Sequence, residues 1–258
     1  MDMKISGAGV LGGGEYEDVK ISGSGKIEGS IRCRSFTCSG AAKGEGDLIC
    51  REEFRSSGSA HITGAIRAGS VRANGALKCT SLSGEGEVRL SGGIAVKEKL
   101  TGGDIQASGG LKVGGDIEAD AFRFTCGIRM GPIGGGDRLE CAGLLNAETA
   151  VITLGLEKHS VNAIGGGTVR VEERPEGAHF SGFGNFSFFG APWGKSARGC
   201  LTVAESIEAD QVELTNTVCP SVSGRRVVVG PGCRIDLVRY SESIEVDPAA
   251  QVGRQEKI

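Results

Sequence analysis

The sequence predicts an all-β fold, a right-handed parallel β-helix: a solenoid of triangular cross-section with about 17 residues per coil. Three observations predict it. Apolar residues recur at intervals of 17 over long stretches. They come as apolar–x–apolar triplets, the period-two pattern of a short strand. Glycine supplies 45 of 258 residues, against a background near 7%, and falls mostly between triplets, where turns are needed.

The repeat is clearest from 60 to 124. Ala60, Leu77, Ile94 and Leu111 form one column, and Ile62, Cys79, Val96 and Val113 the next. Val71, Val88, Ile105 and Phe122 form a third, beside Ala73, Leu90, Ala107 and Phe124. Ile66, Leu82, Leu100 and Ile117 mark a looser face. Three faces per repeat describe a triangular coil whose inner side is buried only by stacking on its neighbours. Upstream, the spacing predicts Phe36 over Phe54 and Ile31, Ile49 and Ile66 in one column. Downstream it pairs Leu144 with Val161, Ala147 with Ile164, Ile152 with Val169 and Leu154 with Val171. Near the end Val227 precedes Ile244, Val229 precedes Val246, and Ile235 precedes Val252.

This divides the chain into a lead-in at 1–18, coils at 19–172, a Phe/Gly-rich insertion at 173–199, and coils with a short tail at 200–258. About twelve coils result, a rod of roughly 55–60 Å at about 4.8 Å per rung. A left-handed hexapeptide helix prefers a strict 18-residue coil; spacings of 17 with slips favour the right-handed form.

Composition narrows the function classes. Regular Val and Ile argue against disorder, and six prolines without Gly at every third position exclude collagen. A net charge of −3 gives no general attraction to nucleic acid. Residues 1–14 lack a basic-then-apolar leader pattern, and no run of 18 apolar residues occurs, so a cytoplasmic location is expected. Nine cysteines, without a C-x-x-C pair, read as small core residues.

The stretches VKISGSGKIEGSIRC at 19–33, IEADAF at 117–122, IEADQVELTNT at 207–217 and VVVGPGCRIDLVRYSESIEVDPAAQVG at 227–253 resemble the bactofilins, bacterial polymer-forming cytoskeletal proteins, in their longer Gram-positive form. The likeness covers most of 15–253 apart from the insertion. It implies a right-handed β-helix that assembles end to end into filaments without nucleotide, often near the inner face of the membrane, with no catalytic residues. The chain departs from compact bactofilins in having about twice the coils and almost no Pro-rich tails.

Few residues point to chemistry. Of His61, His159 and His179, His61 lies between Ala60 and Ile62 and is expected to face outward; none has metal-ligand spacing. A cysteine–histidine nucleophile pair stays open, because sequence does not show proximity. GAGVLG at 7–12 and GAPWGKS at 190–196 imitate phosphate loops but lack the flanking strand and helix, so they read as turns or loops. No enzyme activity, cofactor, metal or small-molecule substrate is expected.

Three surface features read as candidate contacts. The insertion gathers Phe180, Phe183, Phe186, Phe188, Phe189 and Trp193. It is either a flap over the rod or an exposed tip, with Phe188, Phe189 and Trp193 at a membrane surface or partner and Lys195 and Arg198 nearby. Arg55, Arg72, Arg89 and Arg123, with Gln106 among them, form an outward basic stripe, read as a solvated face beside glutamates or as a track for an anionic partner. Val19, Ile21 and Ile27 at one end, with Ile244, Val246 and Val252 at the other, are the expected polymer interface. The function expected is a self-assembling scaffold whose partner is itself, with a membrane surface or cell-envelope proteins as further contacts and no nucleic acid. A monomeric adaptor binding along its flank is the rival. A polysaccharide lyase would show aromatic sugar platforms, and a hexapeptide acyltransferase a stricter period.

Overall fold

An apolar–x–apolar triplet buries one side only, and a coil of three such triplets still leaves its inner wall uncovered above and below. Stacking further coils resolves this. The computed structural model describes residues 1–126, 137–174 and 199–258, and among them the chain is all-β. It winds as a parallel β-solenoid of about 13 turns, with coils about 17 residues apart. On the first face the inward ladder runs Met3, Val19, Phe36, Phe54, Val71, Val88, Ile105, Phe122, Ala150, Val169, Val212, Val227 and Ile244. The second face stacks Ala60, Leu77, Ile94, Leu111 and Leu139. The third runs from Ile31 through Leu48, Ile66, Leu82, Leu100 and Ile117 to Leu145, Ile164, Ile207, Val222 and Val238. These residues make one continuous core along the rod. Twelve steps of about 4.8 Å give a length of roughly 60 Å.

Glycine at the corner between first and second faces is sterically required. A Cβ on Gly58 would lie 1.9 Å from the carbonyl oxygen of Gly40, and one on Gly40 would lie 2.0 Å from that of Gly23. Each corner thus rests on the backbone of the coil before it.

Four expectations need correction. Residues 1–18 are no lead-in: Met3–Ile5 pairs with Asp18–Ile21, and Ala8–Glu15 pairs with Ser24–Cys38, so the stack begins one coil earlier. GAGVLG falls largely inside the strand Ala8–Glu15. In the third-face column Leu48, and not Ile49, stands between Ile31 and Ile66; a bulge after Cys50 absorbs the extra residue. From 139 to 173 the actual partners are Cys141 with Val161, Leu145 with Ile164, Ala150 with Val169 and Ile152 with Val171. That coil is 19 residues long on its first face and carries a register shift between Cys141 and Leu144, so a fixed step of 17 places Leu144, Ala147, Ile152 and Leu154 against the wrong residues. The pairings of Val227, Val229 and Ile235 with Ile244, Val246 and Val252 match the spacing.

The strand Lys158–Glu173 ends at the start of the Phe/Gly-rich insertion. The described chain leaves at 126 and 174 and re-enters at 137 and 199. Both departures are at the corner between first and second faces, with Gly155 in the coil between them. Gly199 N–H donates to Gly155 O (3.0 Å), and Arg174 Nη1 donates to Cys126 O (3.3 Å). Phe180, Phe183, Phe186, Phe188, Phe189, Trp193, Lys195, Arg198 and His179 lie outside the described residues.

Candidate functional site

In-register stacking turns each outward position into a column, so surface chemistry in this fold is lengthwise. On the first face the middle outward residues are Lys4, Lys20, Thr37, Arg55, Arg72, Arg89, Gln106, Arg123, Val151, Arg170, Glu213, Val228 and Glu245. Arg55, Arg72, Arg89 and Arg123 therefore do stand in one stripe, interrupted by Gln106. Glutamates two residues earlier on the same strands compensate most of it. Arg55 pairs with Glu53 (3.0 Å), Arg72 with Glu53 (3.8 Å) and Glu87 (3.4 Å), and Arg89 with Glu87 (2.6 Å). Arg123 has no ion pair among the described residues. Exposed pairs of this kind contribute about 0–1 kcal/mol each; here they chiefly neutralise a column of like charges.

The second face carries a cation row that the sequence reading missed. Lys26, Lys43, His61, Lys78, Ala95 and Lys112 stack in register, and Glu140 follows. Lys26 pairs with Glu28 (2.7 Å) and Lys112 with Glu140 (3.0 Å). Lys43 and Lys78 have no ion pair among the described residues. The signal is present in the sequence, since Lys26, Lys43, His61 and Lys78 are 17, 18 and 17 apart, but it lies on a face whose apolar columns are clear only from Ala60 onward. His61 faces outward as expected and is exposed.

The outer rungs differ from the interior. Val19, Ile21 and Ile27 are buried beneath the first coil, so the candidate interface at that end moves to Met3 and Ile5, which occupy the columns of Val19 and Ile21 one rung out; Leu11, above Ile27, is itself buried. At the other end Ile244 and Val252 are half-buried and Val246 is 36% exposed, whereas Val229, one coil inside Val246, is 0% exposed. The strands Met3–Ile5 and Gln251–Lys257 pair on one side only.

Inside the rod one cysteine–histidine pair does come together. His159 stands in the second-face inner column between Leu139 and Leu201 and is buried. Its ring meets Phe124 edge-on at 5.5 Å. Leu139 N–H donates to His159 Nδ1 (3.1 Å), and Nε2 lies 3.6 Å from Cys126 Sγ. With Nδ1 accepting, the neutral ring carries its proton on Nε2 and donates toward the sulfur. Burial pushes the His159 pKa down to about 4 and the Cys126 thiol up to about 11. Imidazole and thiol are therefore both neutral, and the ring has no lone pair left to take the thiol proton. The contact is a packed polar pair and not an activated nucleophile. Sequence reasoning left the pair open because sequence does not show proximity, and the irregular coil at 139–161 keeps His159 out of a 17-residue column. Eight of the nine cysteines are buried and Cys200 is half-buried, all as free thiols, consistent with their reading as core residues.

No family model matches the chain, and no solved structure matches it. Among curated proteins it is similar to two uncharacterized proteins of Bacillus subtilis (strain 168). YhbF is 34% identical over 116 residues, 45% of this chain and 42% of the relative. YhbE is 43% identical over 58 residues, 22% of this chain and 24% of the relative. The alignments therefore span less than half the length of either relative.

Proposed function

We propose that the protein is a structural scaffold that assembles end to end through its outer rungs, without nucleotide or other cofactor. The observation that carries this reading is the contrast within single columns. Val246 is 36% exposed where Val229 is fully covered, and Ile5 is 8% exposed where Ile21 is 0%. An unpaired rung over an apolar interior is an adhesive sheet edge. A second copy offers the same parallel geometry and a matching apolar triangle. The resemblance to bactofilins supports the same conclusion. Sedimentation velocity tests it: the unmodified chain is expected to form large polymers, and Val246→Lys to reduce them to single rods. Leu144→Lys, an equivalent change at a 40% exposed flank position, should leave assembly intact. Polymers that persist in Val246→Lys would argue against the end rung.

A monomeric adaptor is the second reading, favoured by the lengthwise charge columns on the flank. It predicts single rods at every concentration.

A further inference from the structure

The two cation columns of the first seven coils are separated by a shelf of small residues. Between the Arg55–Arg72–Arg89 stripe and the Lys43–Lys78 row the chain crosses the corner through Ser57-Gly58-Ser59, and one coil on through Asn74-Gly75-Ala76. A Cβ on Gly58 would lie 1.9 Å from Gly40 O and one on Gly75 2.0 Å from Gly58 O, so the middle of the corner admits no side chain. On the shelf side only short side chains therefore stand beside the row, and the hydroxyls of Ser57 and Ser59 lie on exposed residues. The row extends over six rungs, roughly 24 Å, and Lys43, His61 and Lys78 at its centre are exposed.

We propose that this row and shelf form a lengthwise docking track for a linear polyanion carrying closely spaced phosphate groups. A single file of lysines one or two rungs apart, about 5–10 Å, matches a chain laid along the rod. A flat anionic membrane fits less well, because glutamates stack beyond both cation columns. Glu28 and Glu45 stack two residues beyond Lys26 and Lys43 on the same strands, and Glu53 and Glu87 lie on the far side of the arginine stripe, where they pair with Arg55 and Arg89. A bilayer would press against these, whereas a narrow chain lies on the row between Glu28–Glu45 and the shelf. Single-stranded nucleic acid is held by aromatic platforms, and the shelf carries none; Phe36, Phe54, Phe122 and Phe124 all point into the core. The track is on the flank and stands whether or not rods join end to end.

The test uses the full chain with fluorescent inorganic polyphosphate of about 100 units, titrated at several salt concentrations. The unmodified protein is expected to bind, with affinity falling linearly in log–log form as salt rises. Lys43→Gln with Lys78→Gln should weaken binding about tenfold and flatten the salt slope. Arg32→Gln with Arg67→Gln removes the same charge from the third face and should change affinity less than about twofold. Equal weakening by both pairs, or no binding by the unmodified protein, would overturn the track. Binding to vesicles with anionic phospholipid but not to polyphosphate would assign the row to a membrane surface and overturn it too.

Discussion

A residue in this fold is judged by which side of the coil wall it faces and by the identical position one coil away. His159 faces inward, and its neutrality is a stability statement. Its pKa is about 4 folded, against 6.5 for an ordinary imidazole, so the unfolded chain takes up the proton first. Stability is full above about pH 6.5 and falls as the pH drops toward 4, by up to about 3 kcal/mol. In His159→Asn the side-chain oxygen can accept the Leu139 N–H and nothing titrates. Chemical denaturation at pH 7 and pH 4.5 should show a smaller loss in the variant than in the unmodified chain; equal losses would mean that the ring is hydrated. Ser56 is buried between Cys38 and Ala73, and its hydroxyl has no hydrogen-bond partner among the described residues. Ser56→Ala should therefore stabilise the rod by about 1 kcal/mol. Gly58→Ala puts a methyl 1.9 Å from a carbonyl oxygen and should cost about 3 kcal/mol or more, whereas a Cβ on Gly12 meets nothing within 4 Å and Gly12→Ala should be nearly neutral. At this scale the sequence told inside from outside wherever a residue sat between two apolar neighbours, as His61 does.

At the scale of strands, the sequence was legible where the coil length stayed constant. Ala60, Leu77, Ile94 and Leu111 stack as their spacing predicts. It failed where a bulge changed the count without changing the pattern. Leu48 and Ile49 are equally apolar, and only the bulge after Cys50 decides that Leu48 enters the core while Ile49 faces out beside Arg32 and Arg67. The contrast is measurable: Leu48→Ala should cost about 2–5 kcal/mol and Ile49→Ala less than about 1 kcal/mol. The reverse order would mean that the alternative register is the real one. Phe36 and Phe54 show what correct register contributes. Their rings lie parallel within 7° at 5.6 Å, a stacking that a shift of one residue would turn outward. The lysine row is as regular as any apolar column, but it begins upstream of the clear repeat at 60–124, where no apolar triplets mark its face. Only the fold shows that Lys26, Lys43, His61 and Lys78 share a face.

At the scale of the molecule, about 13 parallel turns form one continuous core among the described residues. Solenoids of this kind gain stability from each coil's interface with the next. The outer coils, with one neighbour, are the least stable part. Assembly would give them a second neighbour, so thermal stability should rise with protein concentration. The triangular cross-section and repeat length were legible from composition and spacing. The true first coil was not, because Met3, Ile5 and Leu11 precede the regular repeat and are separated by Ser6, Gly7 and Gly9, which imitate a lead-in.

The most direct measurement is negative-stain electron microscopy of the purified chain without nucleotide or metal, over a range of salt. The account predicts unbranched filaments built from units roughly 60 Å long. A uniform field of separate rods of that length, at every salt and protein concentration, would contradict it and leave a monomeric rod whose contacts lie along its flank.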